Sequence, residues 1–100
     1  MIRIIGGPAD GLCWIGGKTP PLIRAVYFPT AERWRVIISA LEMPFDDERV
    51  TVYWRAKPGI YWPVMDQPNE QVLRNPTAWH AWAIATAALT GIIRKEAGNG

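Results

Sequence analysis

Asn75-Pro76-Thr77-Ala78-Trp79-His80-Ala81-Trp82-Ala83-Ile84-Ala85-Thr86-Ala87-Ala88-Leu89-Thr90-Gly91-Ile92-Ile93 is a run of nineteen residues without a formal charge, closed by Arg94-Lys95. An Asn at the N-cap accepts from the first free backbone N–H groups, and a Pro at the first helical position loses nothing by lacking its own. The basic pair suits the negative end of a helix dipole. The pattern therefore predicts a capped helix, set within a C-terminal helical stretch over 75–96. At 1.5 Å per residue such a run reaches about 27 Å, which is the scale of a membrane span. Pro76, Thr77, His80, Thr86, Thr90 and the six alanines from Ala78 to Ala88 make it too weakly hydrophobic for that role. The reading that follows is a soluble helix that other structure must cover on nearly every side.

Two faces are expected on it. Trp79, Trp82, Thr86, Leu89 and Ile93 follow the spacing of a packing stripe. Ala83, Ala87 and Gly91 follow a four-residue spacing that lets a second backbone approach, as in self-association.

Upstream, Asp66 to Arg74 reads as a polar linker. Arg49 to Ala56 alternates as a strand, Lys57-Pro58-Gly59 turns, and Ile60 to Val64 returns. Pro63 lacks a ladder donor, which places this returning strand at a sheet edge. At Thr30 to Met43 a helix is favoured, capped by Thr30 with Trp34, Ile37, Ile38 and Leu41 on one face. Alternation of Arg33 and Arg35 against Trp34, Val36 and Ile38 leaves a strand as the alternative. Leu22 to Phe28 reads as a strand. The opening runs from Arg3-Ile4-Ile5 through Gly6-Gly7-Pro8-Ala9-Asp10-Gly11 into Leu12 to Ile15, a hairpin with a four-residue loop.

One hundred residues suit a single domain, 1–100, mainly β over 1–65. Hydrophobic residues at 49% and charged residues at 20% indicate a globular chain. The net charge is +2, but Lys and Arg form no stripe of the kind nucleic-acid binders present. A lone Cys13 excludes an internal disulfide and a cysteine zinc site. The N-terminus lacks the apolar core of a signal peptide, so synthesis inside the cell is expected.

Catalytic patterns are near misses. Gly17-Lys18-Thr19 resembles the end of a phosphate-binding loop, but Leu12 stands where the first glycine belongs and no helix is expected after it. Cys13 and His80 lack an orienting carboxylate, and Asp46-Asp47-Glu48 lacks calcium-loop spacing. No catalytic, cofactor or metal residue is assigned, and no enzyme is expected. Tyr53, Arg55 and Trp62 remain as an aromatic and basic hairpin able to anchor a partner.

The segment Ile2-Arg3-Ile4-Ile5-Gly6-Gly7-Pro8-Ala9-Asp10-Gly11 resembles the opening of small phage and prophage proteins of unknown function, in which an apolar strand enters a Gly-Gly-Pro-x-Asp-Gly turn. Tyr53-Trp54-Arg55 is similar to a Tyr-x-Arg strand found later in such chains. The likeness extends over Met1 to Ile15. It implies a phage-encoded accessory protein and carries no catalytic residues.

The expected fold is α+β: a small antiparallel sheet of four or five strands packed by the C-terminal helix, with a possible second helix at 30–43. The expected function is non-enzymatic protein binding, in the virion or in the bacterial cytoplasm against a host protein. Its surfaces would be Trp79, Trp82, Ala83, Ala87 and Gly91, with Tyr53, Arg55 and Trp62. A homo-oligomer through the helix is expected. The alternative is a small nucleic-acid-binding module using the hairpin 53–62; a membrane ranks last among partners.

Overall fold

A computed structural model describes residues 1–39 and 41–90. The chain is α+β, with β1 (Ile2–Ile4), β2 (Cys13–Trp14), β3 (Leu22–Phe28), β4 (Arg33–Ile37), β5 (Arg49–Lys57) and β6 (Ile60–Pro63) followed by α1 (Glu70–Arg74) and α2 (Pro76–Thr90). Gly91, Ile93 and the Arg94-Lys95 pair lie outside the described residues. The strands form one mixed sheet in the order β2-β1-β6-β5-β3-β4. All neighbours are antiparallel except β1 and β6, which run parallel.

The sheet curls. Ile2, Ile4, Leu12 and Trp14 from one end share a cluster with Trp34, Val36 and Ile38 from the other, so their common face lies inside the curl. Ile23, Ala25, Tyr53 and Tyr61 complete it. The outer face carries Leu22, Val50, Val52 and Trp54, and α1 and α2 cover these with Leu73, Trp79 and Ala87. Strand alternation alone sorts β3 and β5 onto these two faces.

Inside the curl, strand tyrosines hold the loops. The Tyr53 hydroxyl accepts from Ala9 N–H (3.0 Å) and donates to the Gly6 carbonyl (3.2 Å). The Tyr61 hydroxyl donates to the Pro20 carbonyl at 2.6 Å. Burial pushes the Tyr61 hydroxyl up to about 12. Tyr53 is raised for the same reason, opposed by its bond from Ala9. Gly7 shows the closeness of this fit: its φ is +68°, and a Cβ there would stand 2.7 Å from the Tyr53 oxygen.

The outer face is held by arginines. Arg24 is 1% exposed and donates to the carbonyls of Ser39 (2.9 Å), Glu42 (2.7 Å) and Leu73 (3.3 Å). Its guanidinium also lies 4.5 Å from the centre of a Trp79 ring. Burial lowers its pKa to about 10 while Glu42 pulls the other way, so it stays charged at neutral pH. Arg74 donates to the carbonyls of Pro44, Phe45 and Glu48, and its Nε pairs with Glu70 at 2.7 Å. Gln67 extends the β5 ladder with a side chain, accepting from Val52 N–H at 2.8 Å and donating to the Val52 carbonyl.

Several expectations are corrected. The α+β class is as expected, with six strands close to the four or five expected, but the sheet is mixed rather than antiparallel because β1 runs parallel to β6. Residues 33–37 are a strand, not part of a helix over 30–43. Pro29 to Glu32 turns the chain, with Glu32 at φ 51°, and β4 then pairs with β3 from Phe28↔Arg33 to Arg24↔Ile37. The period of two prevails because Trp34 and Val36 gain the inner core. The first hairpin's loop is wider than four residues, closing through Ile4 N–H to Leu12 carbonyl and Gly11 N–H to Ile4 carbonyl.

The linker over 66–74 contains α1, capped by Asn69 accepting from Val72 N–H at 3.0 Å. Asn75 then caps α2, accepting from Ala78 N–H at 3.0 Å. Strand β6 is interior rather than at an edge. Val64 N–H bonds to Val52 and Ile5 N–H to the Tyr61 carbonyl. Even-numbered residues of this segment therefore face β5 and odd-numbered ones face β1. Pro63 thus directs its missing donor past the end of β1, where the chain has already turned at Gly6, and the ladder loses nothing.

Candidate functional site

Helix α2 decides which surfaces are left for a partner. Its buried side is Trp79, Ala83 and Ala87, one residue per turn at a spacing of four, with Trp82 and Thr86 beside it. Trp79 and Trp82 stack with ring centres 5.7 Å apart. The small alanines allow the helix to lie close on the sheet, so the face reserved for a second molecule packs against this chain's own core. Leu89, expected in the packing stripe, is 89% exposed instead.

The opposite side of α2 is Thr77, His80, Ala81, Ile84, Ala85 and Ala88, all exposed and none of them formally charged. Ile84 is 49% exposed. A surface helix ordinarily turns charged residues to water on this side. At the C-terminal end of α2 the uncharged surface runs into a groove of about 350 Å³ lined by Trp54, Val64, Met65, Asp66, Trp82, Thr86 and Leu89. Trp62 borders it through an edge-to-face contact with Trp54, their centres 6.0 Å apart. Met65 is 96% exposed and Trp62 41%. Large apolar side chains gathered this way around a concavity mark a docking surface more often than chance exposure does.

The residues proposed from sequence separate accordingly. Trp82 lines the groove and Trp62 stands beside it against Trp54. Trp79 and Ala87 are core, Ala83 is partly buried against it, and Tyr53 is wholly buried on the inner face. Arg55 also points inward, where its guanidinium donates to the Thr19 carbonyl. Arg55 and Trp62 therefore lie on opposite faces of the sheet and form no joint platform. Met65 and Leu89 were missed; their signal was an apolar patch, broken only by Asp66, formed by α2 and the link after β6, which no single periodicity displays.

The catalytic near misses stay apart. Cys13 is exposed on β2 and His80 on α2, and no hydrogen bond joins them among the described residues. Gly17-Lys18-Thr19 lies in the link between β2 and β3, with no helix after it. Among the described residues, no helix is long and apolar enough to cross a membrane. The chain matches no family model, no curated protein and no solved structure.

Proposed function

We propose that this chain is a non-enzymatic protein-binding module, an accessory protein of phage or prophage origin that binds a host or virion protein in the bacterial cytoplasm or the particle. The observation that carries the reading is the uncharged outer face of α2 continuing into the groove at Met65 and Leu89, with the exposed Trp62 beside it. Burying such a patch contributes roughly 25 cal/mol per Å² of apolar surface, with Asp66 the one charged group lining the groove. The phage assignment is supported by the Gly6-Gly7-Pro8-Ala9-Asp10-Gly11 opening.

The test is a paired capture from lysate of an infected bacterium, using wild type and the Met65→Glu/Leu89→Glu variant. Both positions are exposed, so the variant keeps its fold. A binder retained by wild type and lost by the variant supports the reading; identical captures remove it. The same exposed face of α2 is where two copies would associate; light scattering of wild type against Ile84→Glu tests this, and a monomer in both cases removes this part.

A further inference from the structure

The two edges of the curled sheet, β2 and β4, face each other across a cleft of about 600 Å³ lined from Pro8 to Trp14 on one side and from Arg33 to Val36 on the other. The hydrogen-bond register shows what each edge offers. Val52 directs both backbone groups toward the β6 side, to Gln67 and Val64. Its pairing with Arg24 is therefore of the non-hydrogen-bonded kind, and Ile23 and Ala25 are the β3 residues bonded to β5. Arg24, Val26 and Phe28 must then bond to β4, through Ile37, Arg35 and Arg33. That leaves the N–H and C=O groups of Trp34 and Val36 directed outward into the open edge. By the same alternation, Ile4 bonds to Leu12, and Cys13 turns its backbone groups outward on β2.

We infer that this cleft binds an extended acidic segment of a partner protein, which adds to β4 as a further strand. The backbone of Trp34 and Val36 would supply the ladder, and the segment's apolar side chains would enter the inner face beside Leu12, Trp14, Trp34 and Val36. Its alternate side chains would lie next to Arg33 and Arg35 on the outer face. Arg33 is exposed and has no bonded carboxylate among the described residues, while Arg35 pairs with Glu42 at 2.5 Å. Trp14 also lines the cleft, and its indole N–H has no acceptor among the described residues.

The arginines select the occupant. A second copy adding through its own β4 would set Arg33 and Arg35 near their equivalents, and like charges across a ladder are unfavourable. The chain's own last residues include Arg94-Lys95, which meets the same objection.

The inference rests on the protein-binding reading but uses a separate surface. The probes are a fluorescein-labelled heptapeptide alternating glutamate with valine and its lysine–valine counterpart, followed by anisotropy and amide hydrogen exchange. The acidic peptide is expected to bind and to slow exchange at Trp34 and Val36, and the lysine peptide to bind at least about tenfold more weakly. Val36→Pro removes an outward donor without touching the β3 ladder and should abolish binding. Arg33→Glu, at an exposed side chain, should reverse the preference between the peptides. Leu89→Glu should leave both results unchanged, so the two surfaces fail independently. Absence of binding by the acidic peptide, equal binding of both, or binding that survives both Val36→Pro and Arg33→Glu overturns the proposal.

Discussion

The inner and outer faces of the sheet are closed by different chemistry, and the difference follows from what each has to hold. Inside the curl, Tyr53 and Tyr61 reach short glycine- and proline-containing loops whose backbones already turn on themselves. A phenol, with one donor and an accepting oxygen, fixes the first of these loops, and at the second Arg55 adds a single bond to the Thr19 carbonyl beside that of Tyr61. Outside, the link from β4 to β5 passes through residues 41–48 with no regular structure, so its carbonyls lack ladder partners. A guanidinium has five donors and can satisfy several carbonyls at once. Arg24 and Arg74 do this from beneath and beside the link, and Arg24 also ties it to α1 and Trp79.

The strongest way to break the outer arrangement is Arg24→Ala. It leaves the Ser39, Glu42 and Leu73 carbonyls without their donor and opens a gap beneath Trp79. A loss of about 3–4 kcal/mol in urea unfolding is expected. A loss below about 1 kcal/mol would mean that water replaces the guanidinium and that the outer face is held by packing alone.

Gly7→Ala attacks the inner face with a smaller effect. The substitution imposes a positive φ on alanine and pushes a methyl into the Tyr53 hydroxyl. Together these should cost about 2–3 kcal/mol. Introduced into a Tyr53→Phe background the same change should cost less, about 1–2 kcal/mol, since the 2.7 Å clash is gone and only the backbone strain and the 3.3 Å contacts with Pro63 Cβ and the ring Cζ remain. Additive penalties in this double-mutant cycle would show that the loop and the tyrosine are not coupled.

What was legible in the sequence follows the same division. The Gly-Gly-Pro-Ala-Asp-Gly loop, the Lys57-Pro58-Gly59 turn and the Asn75-Pro76 cap are local chemistry, and each appears where the residues place it. Residues 33–37 were not legible, because Trp34, Ile37, Ile38 and Leu41 fit a helical period as well as Trp34 and Val36 fit a strand. Only pairing with β3 decides between them. Pro63 misled for a related reason, since whether its missing donor matters depends on where β1 ends. On α2, the choice between the tryptophan and alanine stripes depended on how the helix axis lies on the sheet. Once Trp79, Ala83 and Ala87 pack inward together, Leu89 is carried out to the groove that Met65 also lines, a juxtaposition that composition does not reveal.

The finest distinction between the faces is their response to alkali. Buried Tyr61 holds its proton up to about 12, whereas the unfolded chain gives it up near the ordinary value of 10. Between those values the unfolded state binds fewer protons than the folded one, so this group's contribution to stability falls as pH rises from 10. Tyr61→Phe removes both the bond to Pro20 and this titration. At pH 8 it should be less stable than wild type by about 1 kcal/mol, the worth of one buried hydrogen bond. At pH 11 the gap should narrow or reverse, because wild type alone carries the penalty at this position. Arg24, lowered to about 10, is present in both proteins and cancels from the comparison. Urea midpoints at the two pH values decide the matter: a constant gap would show that Tyr61 ionises as readily folded as unfolded, and that the inner face is open to water at its hydroxyl.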